Sequence, residues 1–460
     1  MDRRKFIGRI AAGGLGLMAA PAVLKADDDN DSSGSSQGSQ VFAVPTNTGI
    51  TGKVVVVGGG MAGATVAKYL RLWGGTGVDV TLIEKAATYT SNIMSNKVLT
   101  GQLALGSLSY AYSTLSSRYG VKVVTAEVTG ITPSTLSGST VTQQGAVTTS
   151  GGTYSFDRLI MATGLEFDLM PGMTDSAEYD LIPHAWQAGP QTQLLRNQLL
   201  ALKQGSLSGD VVITIPKAPY RCPPGPYERA CVIADWLYTN QVNSRVIVLD
   251  ANAKVLVEES NFMTAFGGAY GYVVDYRPST TIDSVDSSQR AVTFTRNGTQ
   301  ETINAGVLNP IPPQRAPRFL AAVNLYDLAT DRSVPVNVLS YESTRVPGIH
   351  VIGDSSKTTQ PKAGHIGNQQ AKTCTDAILR LFQGLEPDPT PVTNSACYTP
   401  ITASRATWLS AVYQYDPATK TMMVPAWHNG GAPISATAAT TKNYKEMNVW
   451  FNTLMGDTFA

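Results

Sequence analysis

A chain of 460 residues, 43% hydrophobic and 15% charged, has ample material for a large core and for about three domains. Its formal net charge of +1 excludes the electrostatic footprint of a nucleic-acid-binding surface. The four histidines (His184, His350, His365 and His428) show no metal-ligand spacing, so no metal site is expected and they read as structural.

Arg3 and Arg4, followed by Phe6 and Ile7, precede a weakly apolar Gly/Ala-rich run to Ala20, the build of a twin-arginine export signal. Three glycines between residues 11 and 16 disfavour a lasting helix, and the run is too short for a permanent membrane span. Cleavage is expected after Ala22 or Ala26, which delivers a folded protein to the periplasm. Removing residues 1–26 takes away five basic residues and one acidic one, so the net charge moves from +1 to −3. Asp27 to Gln40 is acidic and Ser/Gly-rich, and residues 27–52 read as a flexible tether.

Lys53 to Gly63 (KVVVVGGGMAG) organises the rest. Val54 to Val57 read as a central parallel strand, and Gly58, Gly60 and Gly63 follow at the G-x-G-x-x-G spacing, leading into a helix from Ala62 to Trp73. The strand Val78–Ile83 ends in Glu84, about 20 residues past the glycines, where a carboxylate holds ribose hydroxyls. Strand, turn, helix, strand and acid together predict a bound dinucleotide. A polar stretch from Thr90 to Asn96 leads into a helix or turn near Val98, and strands are expected at Val121–Thr125 and Tyr154–Thr163. The latter runs into Ala162-Thr163-Gly164, which resembles the second signature of flavoproteins with two dinucleotide domains. Gly348 to Asp354, a strand ending in Gly353-Asp354, resembles the third, whose carboxylate binds the ribitol of FAD.

Between these lie strands at Asp210–Ile215 and Val246–Asp250, where a nicotinamide site would need a second glycine turn. Pro216 to Glu228 (PKAPYRCPPGPYE) stands there instead. Its prolines leave few backbone N–H groups for a pyrophosphate, so nicotinamide binding is disfavoured. Four cysteines allow three pairings, and the sequence does not choose among them. Cys231 and Cys374 fall in apolar helical stretches and read as small buried hydrophobes. Cys222 and Cys397 read as lying in irregular segments near prolines, where a disulfide between them would persist after export, if only as a structural staple.

The segments SNKVLTG, PHAWQAG, YRCPPGPYERA, NPIPPQRA, GIHVIGDSS, PKAGHIGNQQAK and FNTLMGDTFA, with the glycine turn, resemble the flavoprotein subunit of flavocytochrome c sulfide dehydrogenase across nearly all of the chain beyond the export signal. The resemblance implies a redox-active Cys222–Cys397 disulfide beside the flavin, with Glu228 as a nearby proton carrier. It implies FAD held by Gly58, Gly60, Ala62, Gly63, Glu84, Lys85, Asn92, Val128, Thr163, Gly164, Gly353, Asp354, Lys362 and Gly364. One position departs. The family links its flavin to a cysteine where Asn92 stands here, and an amide cannot form that thioether, so the expected FAD is non-covalent. There is no C-x-x-C-H, so haem c is expected only on a partner chain, a c-type cytochrome subunit.

The implied chemistry has hydrosulfide attack the disulfide, leaving a persulfide and a thiolate, with two electrons passing through FAD to that cytochrome. The helix after Gly364 would aim its positive end at the flavin. The expected fold is α/β: two Rossmann-like dinucleotide-binding domains of the glutathione-reductase-like kind plus a small C-terminal interface domain. The FAD domain is discontinuous over 53–165 and 308–390; 166–307 is a degenerate NAD-like domain carrying Cys222, and 391–460 carries Cys397. Two alternatives remain open: a sulfide:quinone oxidoreductase, which would need an amphipathic anchor near Met447 to Leu454, and a non-catalytic flavin or thiol-carrier subunit.

Overall fold

The computed structural model describes residues 43–460. The twin-arginine segment, and the tether up to residue 42, lie outside the described residues.

Strand β1 (Gly52–Val57) buries Val54 to Val57 on both faces, and helix α1 (Met61–Gly74) follows after three residues. The chain continues through β2 (Val78–Glu84), the short helix α2 (Ser95–Leu99), β3 (Lys122–Thr125) and β4 (Arg158–Met161). The single strand expected over Tyr154–Thr163 is two. Gly152–Phe156 joins an antiparallel three-stranded sheet, and Arg158–Met161 joins the main one. Asp157 makes the break, its Oδ2 accepting the Lys53 amide at 2.7 Å and its Oδ1 the Gln144 amide nitrogen at 2.9 Å.

The middle of the chain builds β5 (Val211–Ile215), α3 (Gly225–Thr239), β6 (Val246–Asp250), α4 (Glu259–Phe266), β7 (Val274–Arg277) and β8 (Val307–Pro310). These four strands form an all-parallel sheet in the order β7-β6-β5-β8. Every residue of β5 and β6 is buried, as a parallel sheet covered on both faces requires. One face packs on α3 through Ile213, Val248, Tyr227 and Ile233, and the other on an antiparallel sheet through Val212, Leu249, Val292 and Phe294.

The chain then returns with β9 (Ile349–Val351), which pairs in parallel with β4 and so joins β4, β1, β2 and β3 in one eight-stranded sheet. Helix α5 (Gly364–Phe382) shares the core under α1, through Ala64, Ala67, Leu70, Ala371, Cys374 and Ile378. The last part is antiparallel: β10 (Val392–Pro400) against β11 (Ala406–Asp416), followed by α6 (Thr441–Phe459). Helix α6 buries Met447, Phe451, Leu454 and Phe459 in that core, while Val449 is exposed. Among the described residues no helix is long and apolar enough to cross a membrane.

Candidate active site

The three glycines of the turn answer to different demands. Gly58 has φ +101°, and a Cβ there would stand 2.4 Å from the Ala162 carbonyl oxygen; one on Gly63 would stand 1.7 Å from that of Gly58. The chain's own packing requires both. Gly60 has an ordinary φ of −70°, and a Cβ on it would meet only Tyr89, at 3.8 Å. The fold makes no demand for glycine at 60, whereas a ligand lying against the backbone does. Helix α1 also starts without a side-chain cap or an acidic residue in its first turn, which leaves its first amides to an anion. The turn therefore fits the pyrophosphate of FAD. Beside it, Glu84 is fixed by the Gly59 amide (2.7 Å to Oε2) and the Ala86 amide (3.0 Å to Oε1). Lys85 is exposed just beyond, and Val128 begins the strand Val128–Thr132, half-buried against the core that holds Val57 and Ile83.

The ends of β4 and β9 meet next to this turn. Thr163 Oγ1 and Ser355 Oγ are 3.2 Å apart, Ser355 also donates to the Gly164 carbonyl, and the Gly353 amide donates to Gln370 Oε1 at 2.7 Å. A Cβ on Gly353 would come within 3.2 Å of that of Ala62, so α1 and the Gly-Asp turn are in direct contact. Lys362 donates to the carbonyl oxygens of Asp354 (2.6 Å) and Ser356 (3.0 Å). Gly364 opens α5, which has neither a side-chain cap nor an acid in its first turn, and a Cβ on it would press on Ile93 at 2.8 Å.

Cys222 is tied to the same place. Its amide donates to the Lys362 carbonyl at 2.7 Å, and the neighbouring Arg221 sets its guanidinium 3.7 Å from Asp354 Oδ2. The residue has φ +59°, a left-handed conformation unusual outside glycine, held by the Gly225 amide donating to its carbonyl at 2.9 Å where α3 begins. Cys397 is not in an irregular segment. It lies in the middle of β10, opposite Leu409, and β10 escapes a reading by apolar alternation because its buried positions are Thr393, Ser395, Thr399 and the terminal Pro400. Both cysteines are half-buried and free. Burial pushes the Cys222 thiol well above its ordinary value, and nearby Cys397 and Glu228 push the same way. Burial likewise pushes Cys397 up to about 12, with Glu258 and Glu228 adding to it.

Glu228 stands in the first turn of α3, with Oε1 accepting from Asn96 Nδ2 at 2.8 Å. Burial raises its carboxyl to about 8, against the opposing pull of Asn96 and Arg229, so it can hold or give up a proton near neutrality.

Several site residues carry no motif of their own. Arg229 is fully buried and gives its guanidinium to Asn96 Oδ1 (2.9 Å), Asn309 Oδ1 (3.0 Å) and the carbonyls of His184 and Ala185 (both 2.7 Å), over the Trp186 ring. It thereby fixes the loop of the PHAWQAG segment against the start of α3. Asn92 does the same from the segment before α2, its Oδ1 accepting the Ala188 amide at 2.7 Å. The available signals are adjacency to Glu228 for Arg229, and a place inside SNKVLTG for Asn96.

The second dinucleotide site is filled by the protein itself. Asp250, at the end of β6 where a nicotinamide cofactor would offer its ribose, is fully buried. Its carboxylate accepts from Tyr227 (2.8 Å), Tyr276 (2.9 Å) and the amide and side chain of Asn252.

Residues 192–312 match the family model for the central domain of the sulfide dehydrogenase (flavocytochrome c) flavoprotein chain, and residues 52–196 match that of pyridine nucleotide-disulphide oxidoreductases. Among solved structures the chain is similar to sulfide:quinone oxidoreductase from Aquifex aeolicus, with TM-score 0.69 and 16% identity over 88% of this chain and 91% of that one. It is also similar to NDH2 from Plasmodium falciparum (TM-score 0.59, 10% identity, 89% and 96% coverage). A NAD-dependent persulfide reductase from A. fulgidus matches as well (TM-score 0.54, 14% identity, 88% and 77% coverage). With the cradle for FAD assembled from all three signatures, the chain is a flavin-dependent oxidoreductase whose residues 192–312 are of the kind found in the flavocytochrome c sulfide dehydrogenase flavoprotein chain.

Proposed function

We propose that this protein oxidises sulfide to sulfane sulfur through a Cys222–Cys397 disulfide and non-covalently bound FAD, and passes the electrons to a c-type cytochrome subunit in the periplasm. The observation that carries the reading is the Cys222 amide bonded to the Lys362 carbonyl at 2.7 Å, which ties the cysteine to the turn that holds Asp354. The filled site at Asp250 supports a reductant other than a nicotinamide.

FAD, held by the glycine turn, Glu84, Asp354 and the amide ends of α1 and α5, supplies two-electron acceptance and one-electron release. The remaining work falls to the side chains. Hydrosulfide attacks one sulfur of the disulfide; the S–S bond breaks, one cysteine becomes a persulfide, and the other leaves as a thiolate. Because burial raises both thiols, the leaving sulfur needs a proton, and Glu228, with its carboxyl at about 8, is the donor at neutral pH. Arg229, buried and bonded on every side, holds Asn96 and so orients the Glu228 carboxyl. The apolar face of α6 is packed inside the protein, which favours a soluble acceptor over the quinone of a membrane-anchored enzyme.

The test is anaerobic titration with sulfide, following flavin absorbance, in wild type and Cys222→Ser. Bleaching at near-stoichiometric sulfide in wild type alone is expected. A wild-type flavin that stays oxidised refutes the sulfide reading.

A further inference from the structure

One carboxylate close to the cysteines has no part in the scheme above. Glu258 precedes α4 with φ +52° and is 8% exposed. Its Oε2 accepts from Thr399 Oγ1 at 3.1 Å, while its Oε1 is buried without a partner. Thr399 is two residues beyond Cys397 in β10, and residues two apart in a strand share a face about 7 Å apart. That strand packs on α3, whose first turn carries Glu228. Glu258 also lines a cavity of about 470 Å³ together with Asn261 and Ala436, opening past the exposed Glu259, Ser260, Ser435 and Thr437.

The chemistry requires such an outlet. Conversion of HS⁻ to sulfane sulfur releases two electrons and one proton. FAD would supply the route by which the electrons leave to two one-electron acceptors, but the proton is set free among the cysteines and the carboxyls beside them. We propose that Glu258 is the proton outlet of the site: Glu228 regains from the cysteine thiol the proton it lent, and the one net proton brought by HS⁻ passes by way of Glu228 to the Glu258 carboxylate and from there to water in the cavity. This rests on the sulfide-oxidation reading. The titratable groups around Glu258 are Glu228 and Cys231 from α3, Cys397 from β10 and Glu259 from α4, with Lys97 of α2 acting on Glu228. Burial raises the Glu258 carboxyl, against hydrogen bonds from Thr407, Thr399 and Asn261, and its charge adds to the rise at Glu228. Glu258 bonds to Thr399 and acts through Glu228, as a relay behind it.

The test has two readouts on the flavin-loaded protein. In stopped flow between pH 6 and 9, Glu258→Gln is expected to slow sulfide-driven flavin reduction about tenfold or more and to flatten its pH profile. Glu258→Asp should recover part of the rate, and reduction by dithionite, which bypasses the cysteines, should be unchanged in both. In infrared pH titration, the protonated-carboxyl band lost in Glu258→Gln should move when Glu228 is replaced by Gln. Thr399→Val, which leaves the carboxyl intact, should move it too. A wild-type rate and pH profile in Glu258→Gln overturns the outlet and leaves the sulfide reading standing. If sulfide fails to reduce even the wild-type flavin, the sulfide reading has failed; a Glu258 band indifferent to Glu228→Gln then overturns the proton link as well.

Discussion

Glu228→Gln separates the electrostatics of the buried carboxyl from its shape. The amide keeps the oxygen that accepts from Asn96 at 2.8 Å and cannot ionise. Burial raises the carboxyl from 4.5 to about 8. A folded-state value above the unfolded one means a contribution fully present below about pH 4.5, which declines as the unfolded chain ionises and is lost once pH passes 8. At 1.36 kcal/mol per unit, the wild type forfeits on the order of 3–5 kcal/mol between those limits, and the Gln variant forfeits none of it. Urea unfolding at pH 5, 7 and 9, at fixed flavin occupancy, should find the two proteins alike at pH 5 and the variant more stable by several kcal/mol at pH 9. A stability difference that does not change with pH would refute the buried, raised carboxyl and with it the assignment of Glu228 as proton donor.

The glycine turn can be tested by a pair of variants. Gly63→Ala, whose Cβ would fall 1.7 Å from the Gly58 carbonyl oxygen, should lose about 2–4 kcal/mol in denaturant unfolding. Gly60→Ala, with open space around its Cβ, should melt within about 2 °C of wild type yet release flavin on gel filtration; equal stability loss in both would remove the argument for a ligand against Gly60. Asn92→Cys forfeits the bond from the Ala188 amide, about 1 kcal/mol, but should leave flavin fluorescence on the chain after denaturing electrophoresis. An unlabelled chain would mean that residue 92 is not at the flavin ring. Millimolar NADH should leave the flavin spectrum unchanged, because two tyrosines and Asn252 hold Asp250; rapid bleaching would contradict the filled second site.

Much of the fold is readable where composition and function coincide. Val54–Val57 and Val246–Asp250 are β-rich runs bounded by breakers, and the structure has strands over both. Gly58 and Gly63 are glycines for reasons that the turn itself enforces. What was not legible depends on contacts between distant segments. Strand β10 buries Thr and Ser along most of its length, so no apolar alternation announces it, and from the sequence Cys397 reads as irregular chain. The change of sheet at Asp157 rests on bonds to Lys53 and Gln144, and the sequence gives no hint of either. Arg229 and Glu258 are charged residues of the kind expected at a surface. Only the folded chain brings four acceptors to the first and sets the second beside Thr399.

The central claim is that Cys222 and Cys397 form the bond that sulfide attacks, and peptide mapping tests it most directly. Protein purified without reductant and digested under thiol-blocking conditions should yield one cross-linked peptide joining residues 222 and 397. One equivalent of sulfide-34, quenched before the flavin bleaches, should convert that peptide into two, one carrying the heavy sulfur as a persulfide and the other a free thiol. Two freely alkylated cysteines in the oxidised enzyme, or a flavin that bleaches although no heavy persulfide forms at either cysteine on the way, would contradict the account.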